Sequence, residues 1–119
     1  MPPQTDPQKA WAARISDTLP DFDVVLPLNA DEAKKEIVDA DAAFGNVPAD
    51  ALSEAGQLRW LQSPQAAPPP GYYYDELIGH PVTVTNFRGI YNDHISAHIM
   101  MYVLALSRGL PGYMRAKTR

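Results

Sequence analysis

Short runs of strand-forming residues alternate with segments of helical periodicity along this chain. β-branched and aromatic residues predict strands at residues 22–26, 42–44, 58–62 and 82–85. Apolar residues at helical spacing, with capping or stop signals, predict helices at residues 9–19, 30–38, 48–55, 76–78 and 93–107. Strands joined by helices in this order form parallel β-α-β units with right-handed crossovers. The sequence therefore predicts an α/β fold with a small parallel sheet flanked by helices.

Length and composition limit the classes of function that are open to the chain. It has 119 residues, enough for one domain, and a net charge of -4, which gives no basic surface for nucleic acid. It contains no cysteine, which excludes disulfides, thiolate catalysis and zinc–thiolate sites. The apolar run at residues 99–106 is too short to span a membrane, and residues 1–7 do not resemble a signal peptide. We expect a cytoplasmic protein without a nucleic-acid or membrane partner.

Small or polar residues follow three of the predicted strands. Gly45 and Asn46 follow the second strand, residues 63–67 follow the third, and residues 86–89 follow the fourth. The carboxyl ends of parallel strands share one edge of a sheet, where ligands of α/β proteins bind. These loops can therefore form a cleft. The alternative is that they are polar only because connecting loops usually are.

Two short motifs outside these loops have weaker functional interpretations. His94 and His98 lie one helical turn apart and can bind a metal, but the sequence places no third ligand beside them. We therefore expect no metal centre. The alternative to a metal site is that His94 lies at the start of the helix and His98 packs against its neighbours. Residues 69–72 (Pro-Pro-Gly-Tyr) match a short motif that aromatic-lined grooves bind, although such a match arises easily by chance. The chain has no Gly-x-Gly-x-x-Gly and no Walker A sequence, so it lacks a dinucleotide or phosphate cradle of its own.

Features near both ends suggest a partial domain. Residues 1–8 contain no strand, although this fold class usually opens with one. The helix expected at residues 93–107 is apolar around most of its circumference, so another surface must cover it. We therefore expect that the chain is truncated at both ends.

Four stretches in the second half of the chain resemble the D-isomer-specific 2-hydroxyacid dehydrogenases. They are residues 58–64 (Leu-Arg-Trp-Leu-Gln-Ser-Pro), 82–91 (Val-Thr-Val-Thr-Asn-Phe-Arg-Gly-Ile-Tyr), 95–99 (Ile-Ser-Ala-His-Ile) and 104–108 (Leu-Ala-Leu-Ser-Arg). Residues 20–25 and 40–45 extend the similarity, which then covers most of the chain. The order and spacing of the pieces carry the resemblance, because no single piece is specific.

The resemblance implies one part of a two-domain oxidoreductase. The family's substrate domain holds the substrate carboxylate on backbone N–H groups of a loop. Its second domain binds NAD or NADP and supplies the catalytic arginine, histidine and acidic residue. For residues 1–119 it thus implies a partial substrate domain with a flavodoxin- or Rossmann-like sheet. The central first strand, the cofactor domain and every catalytic residue would be absent.

The family's carboxylate loop reads Ser-x-Gly-Ala-Gly-Val-Asp, and residues 63–68 here read Ser-Pro-Gln-Ala-Ala-Pro. Both glycines are replaced, while Ala66 matches the family. Gln65, Ala66 and Ala67 still offer N–H donors for an anion. The resemblance therefore assigns substrate binding to these three residues. Because Gln65 and Ala67 replace the family's glycines, they adopt a left-handed backbone less readily than glycine would.

Further expectations concern two side chains, one helix and the activity. Asn46 and Arg88 lie on neighbouring strand ends and are additional substrate-binding candidates, unless they only brace loops. The helix at about residues 93–108 would pack against the missing cofactor domain and a dimer mate. The parent enzyme would transfer hydride between NAD(P) and a small D-2-hydroxy acid or 2-keto acid, and this chain alone would be inactive. The alternative is a stand-alone, non-catalytic interaction or assembly module derived from that domain.

Overall fold

A computed structural model describes residues 2–117 and shows a mixed α/β fold with a small parallel sheet and flanking helices. The strands are β1 (Ala42–Phe44), β2 (Trp60–Gln62) and β3 (Thr83–Thr85). The helices are α1 (Asp6–Thr18), α2 (Ala30–Glu36), α3 (Ala49–Leu52), α4 (Asp75–Gly79), α5 (Asn92–Ser107) and α6 (Leu110–Lys117). The chain divides between Phe87 and Arg88 into two compact units, the first with the sheet and α1–α4, the second with α5 and α6.

The sheet has the order β1-β2-β3, and both strand pairs are parallel, as the alternation of strands and helices predicts. Register places Ala43, Leu61 and Val84 side by side in one row. Successive side chains of a strand point to opposite faces. The row that contains Leu61 packs into the core, while Trp60 and Thr83 in the preceding row are exposed.

The core of the first unit lies on one face of the sheet. Leu61 at the centre of β2 has no exposed surface, and residues from α3, α4 and the connecting segments surround it. The buried cluster consists of Ile37, Val47, Ala51, Leu52, Ala55, Leu58, Leu61, Tyr72, Leu77 and Val82. Helix α3 contributes Ala51 and Leu52 to this cluster.

Local capping explains where the first two helices begin. Asn29 starts α2, because its side-chain oxygen accepts the Glu32 N–H at 2.8 Å, as the sequence predicts. Helix α1 begins at Asp6 rather than at the predicted Lys9. The Gln8 side chain accepts the Thr5 N–H at 2.7 Å, which stabilises the extra turn at the start of α1.

The strand predicted at residues 22–26 is wrong, since this segment is irregular in the structure. Val25 and Leu26 are exposed, at 45% and 38%, so their strand-forming side chains find no sheet to pack against. The Phe22 N–H instead donates to the Leu19 carbonyl at 3.0 Å, and the Pro27 carbonyl accepts from the Gln4 side chain at 2.7 Å. A β-branched run forms a strand only where a neighbouring strand completes its hydrogen bonds.

The second unit consists of two consecutive helices. Helix α5 matches the predicted long helix, while α6 is an element that the sequence interpretation missed. Gly109, with φ 64°, ends α5 in the left-handed conformation, and Pro111 lies in the first turn of α6. Neither helix contains a buried residue, and no helix among residues 2–117 is long and apolar enough to cross a membrane.

Candidate functional site

Parallel register brings two of the predicted loops to one edge of the sheet. Phe44, Gln62 and Thr85 occupy one row at the carboxyl ends of the three strands. The ladder extends one residue further, because the Gly45 N–H donates to the Gln62 carbonyl at 3.0 Å and the Ser63 N–H donates to the Thr85 carbonyl at 2.8 Å. The segments that follow β1 and β2 therefore start side by side. We call the surface formed by residues 45–46 and 63–67 the loop edge.

A buried serine and a buried tyrosine hold the loop edge together. Ser63 has no exposed surface, and its hydroxyl accepts the Gln65 N–H at 3.3 Å. Tyr72, 8% exposed, returns from the proline-rich loop and donates its hydroxyl to the Gly45 carbonyl at 3.3 Å. The Ser63 side chain lies close enough to the Tyr72 hydroxyl to lower its pKa. These contacts join the segments after β1 and β2 to residue 72.

Tyr74 fixes the end of the same proline-rich loop. Its hydroxyl donates to the Val47 carbonyl at 2.7 Å, two residues beyond Gly45. Burial raises the pKa of Tyr74, and the charges of Glu76, Tyr72 and Asp50 raise it further. Burial also raises the pKa of Tyr72, while the Ser63 side chain opposes that effect. Both phenols are therefore held in the neutral form, in which their O–H groups donate to the backbone.

Residues 65–67 supply the backbone donors expected for an anion. The Gln65 N–H already donates to the Ser63 hydroxyl, although the distance of 3.3 Å indicates a weak bond. Among residues 2–117, the Ala66 and Ala67 N–H groups donate no hydrogen bond. No described non-glycine residue has positive φ, so this segment does not adopt the left-handed backbone that the replaced glycines would permit. Two adjacent N–H groups thus remain available to a ligand.

The loop edge has no cationic side chain of its own. No lysine or arginine occurs in residues 44–46, 63–74 or 85–87. Asn46 follows Gly45 and is exposed, so its side chain is available at this edge. Arg88 is exposed and is the first residue of the second unit. Asn46 follows β1 and Arg88 follows β3, so the prediction of neighbouring strand ends is wrong, because β2 lies between these two strands. Any anion held here would depend on backbone N–H dipoles and the Asn46 amide, without a cationic side chain.

A polar network stiffens the strand ends on the exposed face of the sheet. The Trp60 indole N–H donates to the Thr85 hydroxyl at 2.7 Å, and this hydroxyl donates to the Gln62 side-chain oxygen at 2.6 Å. The Gln62 side-chain nitrogen then donates to the Ser63 carbonyl at 2.8 Å. The network fixes the backbone from which residues 65–67 project.

The sequence interpretation identified the loop edge but not the residues that brace it. The sequence indicates no bracing role for Ser63, and it places Tyr72 in a short groove-binding motif. In the structure Tyr72 is buried in the core, so the Pro-Pro-x-Tyr motif does not present its tyrosine to a partner. The available signal is the tyrosine run at residues 72–74, since a tyrosine that becomes buried usually finds a hydrogen-bond partner for its hydroxyl.

The residues present do not fit a dinucleotide. The sequence has no glycine-rich turn between a strand and a helix, so no part of the chain supplies the pyrophosphate site that NAD(P) requires. Among residues 2–117, no group of three or more histidine, aspartate or glutamate side chains is placed to hold a metal ion. Comparison of the chain with family models, with curated proteins and with solved structures finds no match in any of the three.

Proposed function

We propose that the chain is the substrate-carboxylate-binding part of an NAD(P)-dependent D-2-hydroxyacid dehydrogenase. The observation that carries the proposal is the pair of adjacent N–H groups at Ala66 and Ala67, which have no acceptor among the described residues. They lie at the carboxyl edge of a parallel sheet, where ligands of α/β proteins bind. The motif order from residue 58 to residue 108 supports the same assignment.

In this proposal the two N–H groups bind the carboxylate of a small 2-keto or 2-hydroxy acid. A hydrogen bond to a charged group contributes about 1.5–3 kcal/mol, so two of them give roughly 3–6 kcal/mol. A dissociation constant of about 1 mM corresponds to about 4 kcal/mol, so the chain alone would bind such an acid weakly. The Asn46 side chain at the same edge is a further donor to the bound acid.

The chemical step requires groups that this chain does not contain. Hydride transfer needs the nicotinamide, and the loop edge offers neither a titratable base for the hydroxyl proton nor a cation to polarise the keto group. We assign these roles to a cofactor domain outside the chain. The sheet is then a partial flavodoxin- or Rossmann-like sheet, and the chain alone is inactive.

The proposed partners include a second copy of the chain. Eight large apolar side chains on α5 are between 49% and 69% exposed, far more than a solvated helix of this length usually presents. We propose that α5 contacts the cofactor domain and a dimer mate in the complete enzyme. The cellular location proposed for that enzyme is the cytoplasm.

One observation favours a second candidate, a non-catalytic assembly module. Helix α5 contains no buried residue, so its apolar side chains offer a surface that a partner protein can cover without a cofactor domain. In the module alternative, this surface alone is the functional part and the loop edge has no ligand.

An enzyme assay separates the two candidates. The chain and the product of the complete reading frame that encodes it are both assayed for NADH- or NADPH-dependent reduction of glyoxylate, pyruvate and hydroxypyruvate. The dehydrogenase proposal predicts turnover by the complete product and none by residues 1–119 alone. A reading frame with no dinucleotide-binding sequence, or a complete product without turnover on any 2-keto acid, would favour the module.

A further inference from the structure

His94 and His98 form an isolated pair of imidazoles on the surface of α5. Both side chains are exposed, and both line one shallow depression of about 380 Å³ together with Tyr91, Ile95 and Ile99. Residues four apart on a helix have Cβ atoms about 5–6 Å apart, so the two rings lie on one face. The pair belongs entirely to the second unit and shares no residue with the loop edge.

Neither imidazole of the pair is engaged by another polar group. Among residues 2–117, no hydrogen bond or ion pair involves the side chain of His94 or His98. The third histidine differs, because the His80 Nδ1 accepts the Val82 N–H at 3.2 Å. His98 contacts the Tyr102 ring edge-on, with 4.7 Å between ring centroids, and this contact restrains the orientation of its ring. The ring nitrogens of the pair are therefore available as ligands.

The sequence predicts no metal centre at this pair because it places no third ligand beside it. We propose instead that His94 and His98 together bind one divalent transition-metal ion, for which zinc is the probe. Neutral imidazole is a preferred ligand of zinc, nickel and copper, and two histidines four apart on a helix are spaced to share one ion. No third histidine, aspartate or glutamate joins the pair among the described residues, so water completes the coordination. Such a site exchanges its ion readily and does not fold the chain.

The chelate distinguishes this site from ordinary surface histidines. A single imidazole holds the ion by one bond, whereas the pair holds it by two bonds from one rigid helix. Removal of either ligand should therefore weaken binding at least about tenfold, which corresponds to about 1.4 kcal/mol. Magnesium prefers oxygen ligands and should not bind measurably.

The test is a zinc titration of the untagged 119-residue chain, followed by calorimetry or by competition with a coloured chelator. His94→Ala and His98→Ala should each bind zinc at least about tenfold more weakly. His80→Ala, which removes the histidine outside the pair, should retain the affinity of the unmodified chain. Circular dichroism of each variant checks that its helix content is unchanged.

A matched variant keeps the number of histidines constant. His98→Ala combined with Met101→His leaves two histidines on α5, seven positions apart and about 10 Å along the helix axis, too far to share one ion. We expect this variant to bind as weakly as His98→Ala alone. The proposal would be overturned if His98→Ala, alone or combined with Met101→His, bound zinc as tightly as the unmodified chain. It would also be overturned if the unmodified chain bound no zinc.

Discussion

The hydroxyl of Tyr72 donates a hydrogen bond to the backbone carbonyl of Gly45 across 27 positions of sequence, at 3.3 Å. Gly45 has φ 116°, a conformation that residues with a Cβ rarely adopt, at the point where β1 turns into the loop edge. The Ser63 side chain lies near the same hydroxyl and lowers its pKa, so one phenol lies between the segments that follow two adjacent strands. The geometry of the proposed carboxylate site therefore depends on a residue outside it.

Tyr72→Phe should destabilise the chain without changing its fold. The substitution keeps the buried ring but leaves the Gly45 carbonyl without this donor, which costs about 0.5–1.5 kcal/mol of unfolding free energy. Chemical denaturation measures the change. Tyr73→Phe is the matched control, because the Tyr73 ring is 47% exposed, and it should leave the unfolding free energy unchanged. Equal stability of both variants would show that the hydroxyl of Tyr72 does not brace the loop.

Alkaline pH should weaken the same contacts. Burial raises the pKa values of Tyr72 and Tyr74 in the folded chain above the ordinary value of 10.0. A raised folded pKa contributes stability that is fully present below pH 10.0 and is lost as pH rises through the folded pKa. Unfolding free energy should therefore fall from about pH 10 upwards.

Removing the two hydroxyls provides the control for that pH dependence. The variant with Tyr72→Phe and Tyr74→Phe should lose less stability over the same alkaline range than the unmodified chain. An identical pH profile for the two proteins would assign the alkaline loss to other groups. Denaturation at a series of pH values, with phenolate absorbance followed in parallel, measures both quantities.

The exposed apolar surface of α5 should drive self-association. Leu104 is 57% exposed on this helix and does not line the depression that contains His94 and His98, and Leu104→Glu would place a carboxylate where a second copy must exclude water. Sedimentation should show association of the unmodified chain that depends on concentration, and at least about tenfold weaker association of the variant. Leu28→Glu introduces the same charge at an 82% exposed site in the first unit and should have no effect. A sharp, two-state melt of a monomeric chain would contradict both this prediction and the expectation of a partial domain.

The parallel sheet could be predicted because its signals are local. Residues 42–44, 60–62 and 83–85 all lie within predicted strands, and Asn29 marks the start of α2 through a contact three residues away. The segment at residues 22–26 has the same β-branched composition, but composition alone does not reveal whether a neighbouring strand is present. The sequence does not predict helix α6, because Gly109 and Pro111 indicate the end of α5. The same two residues also suit the start of a following helix.

The candidate site was predictable in position but not in detail. Loops at the carboxyl ends of parallel strands follow from topology, so residues 45–46 and 63–67 could be placed at one edge. The bracing by Ser63 and Tyr72 could not, because it depends on contacts across a long proline-rich loop whose path the sequence does not specify. The partial engagement of the Gln65 N–H by Ser63 also required coordinates.

The most direct test of the central claim is an amide-resolved NMR titration of the chain with pyruvate, with chloride at the same ionic strength as the reference. We expect saturable shifts of the Ala66 and Ala67 amide resonances with a dissociation constant of about 1 mM or weaker. Ala67→Pro, which removes one donor, should abolish the saturable shift, while Gln65→Ala, which retains its N–H, should preserve it. Shifts that are absent, that chloride reproduces, or that persist in Ala67→Pro would contradict a carboxylate site at these residues.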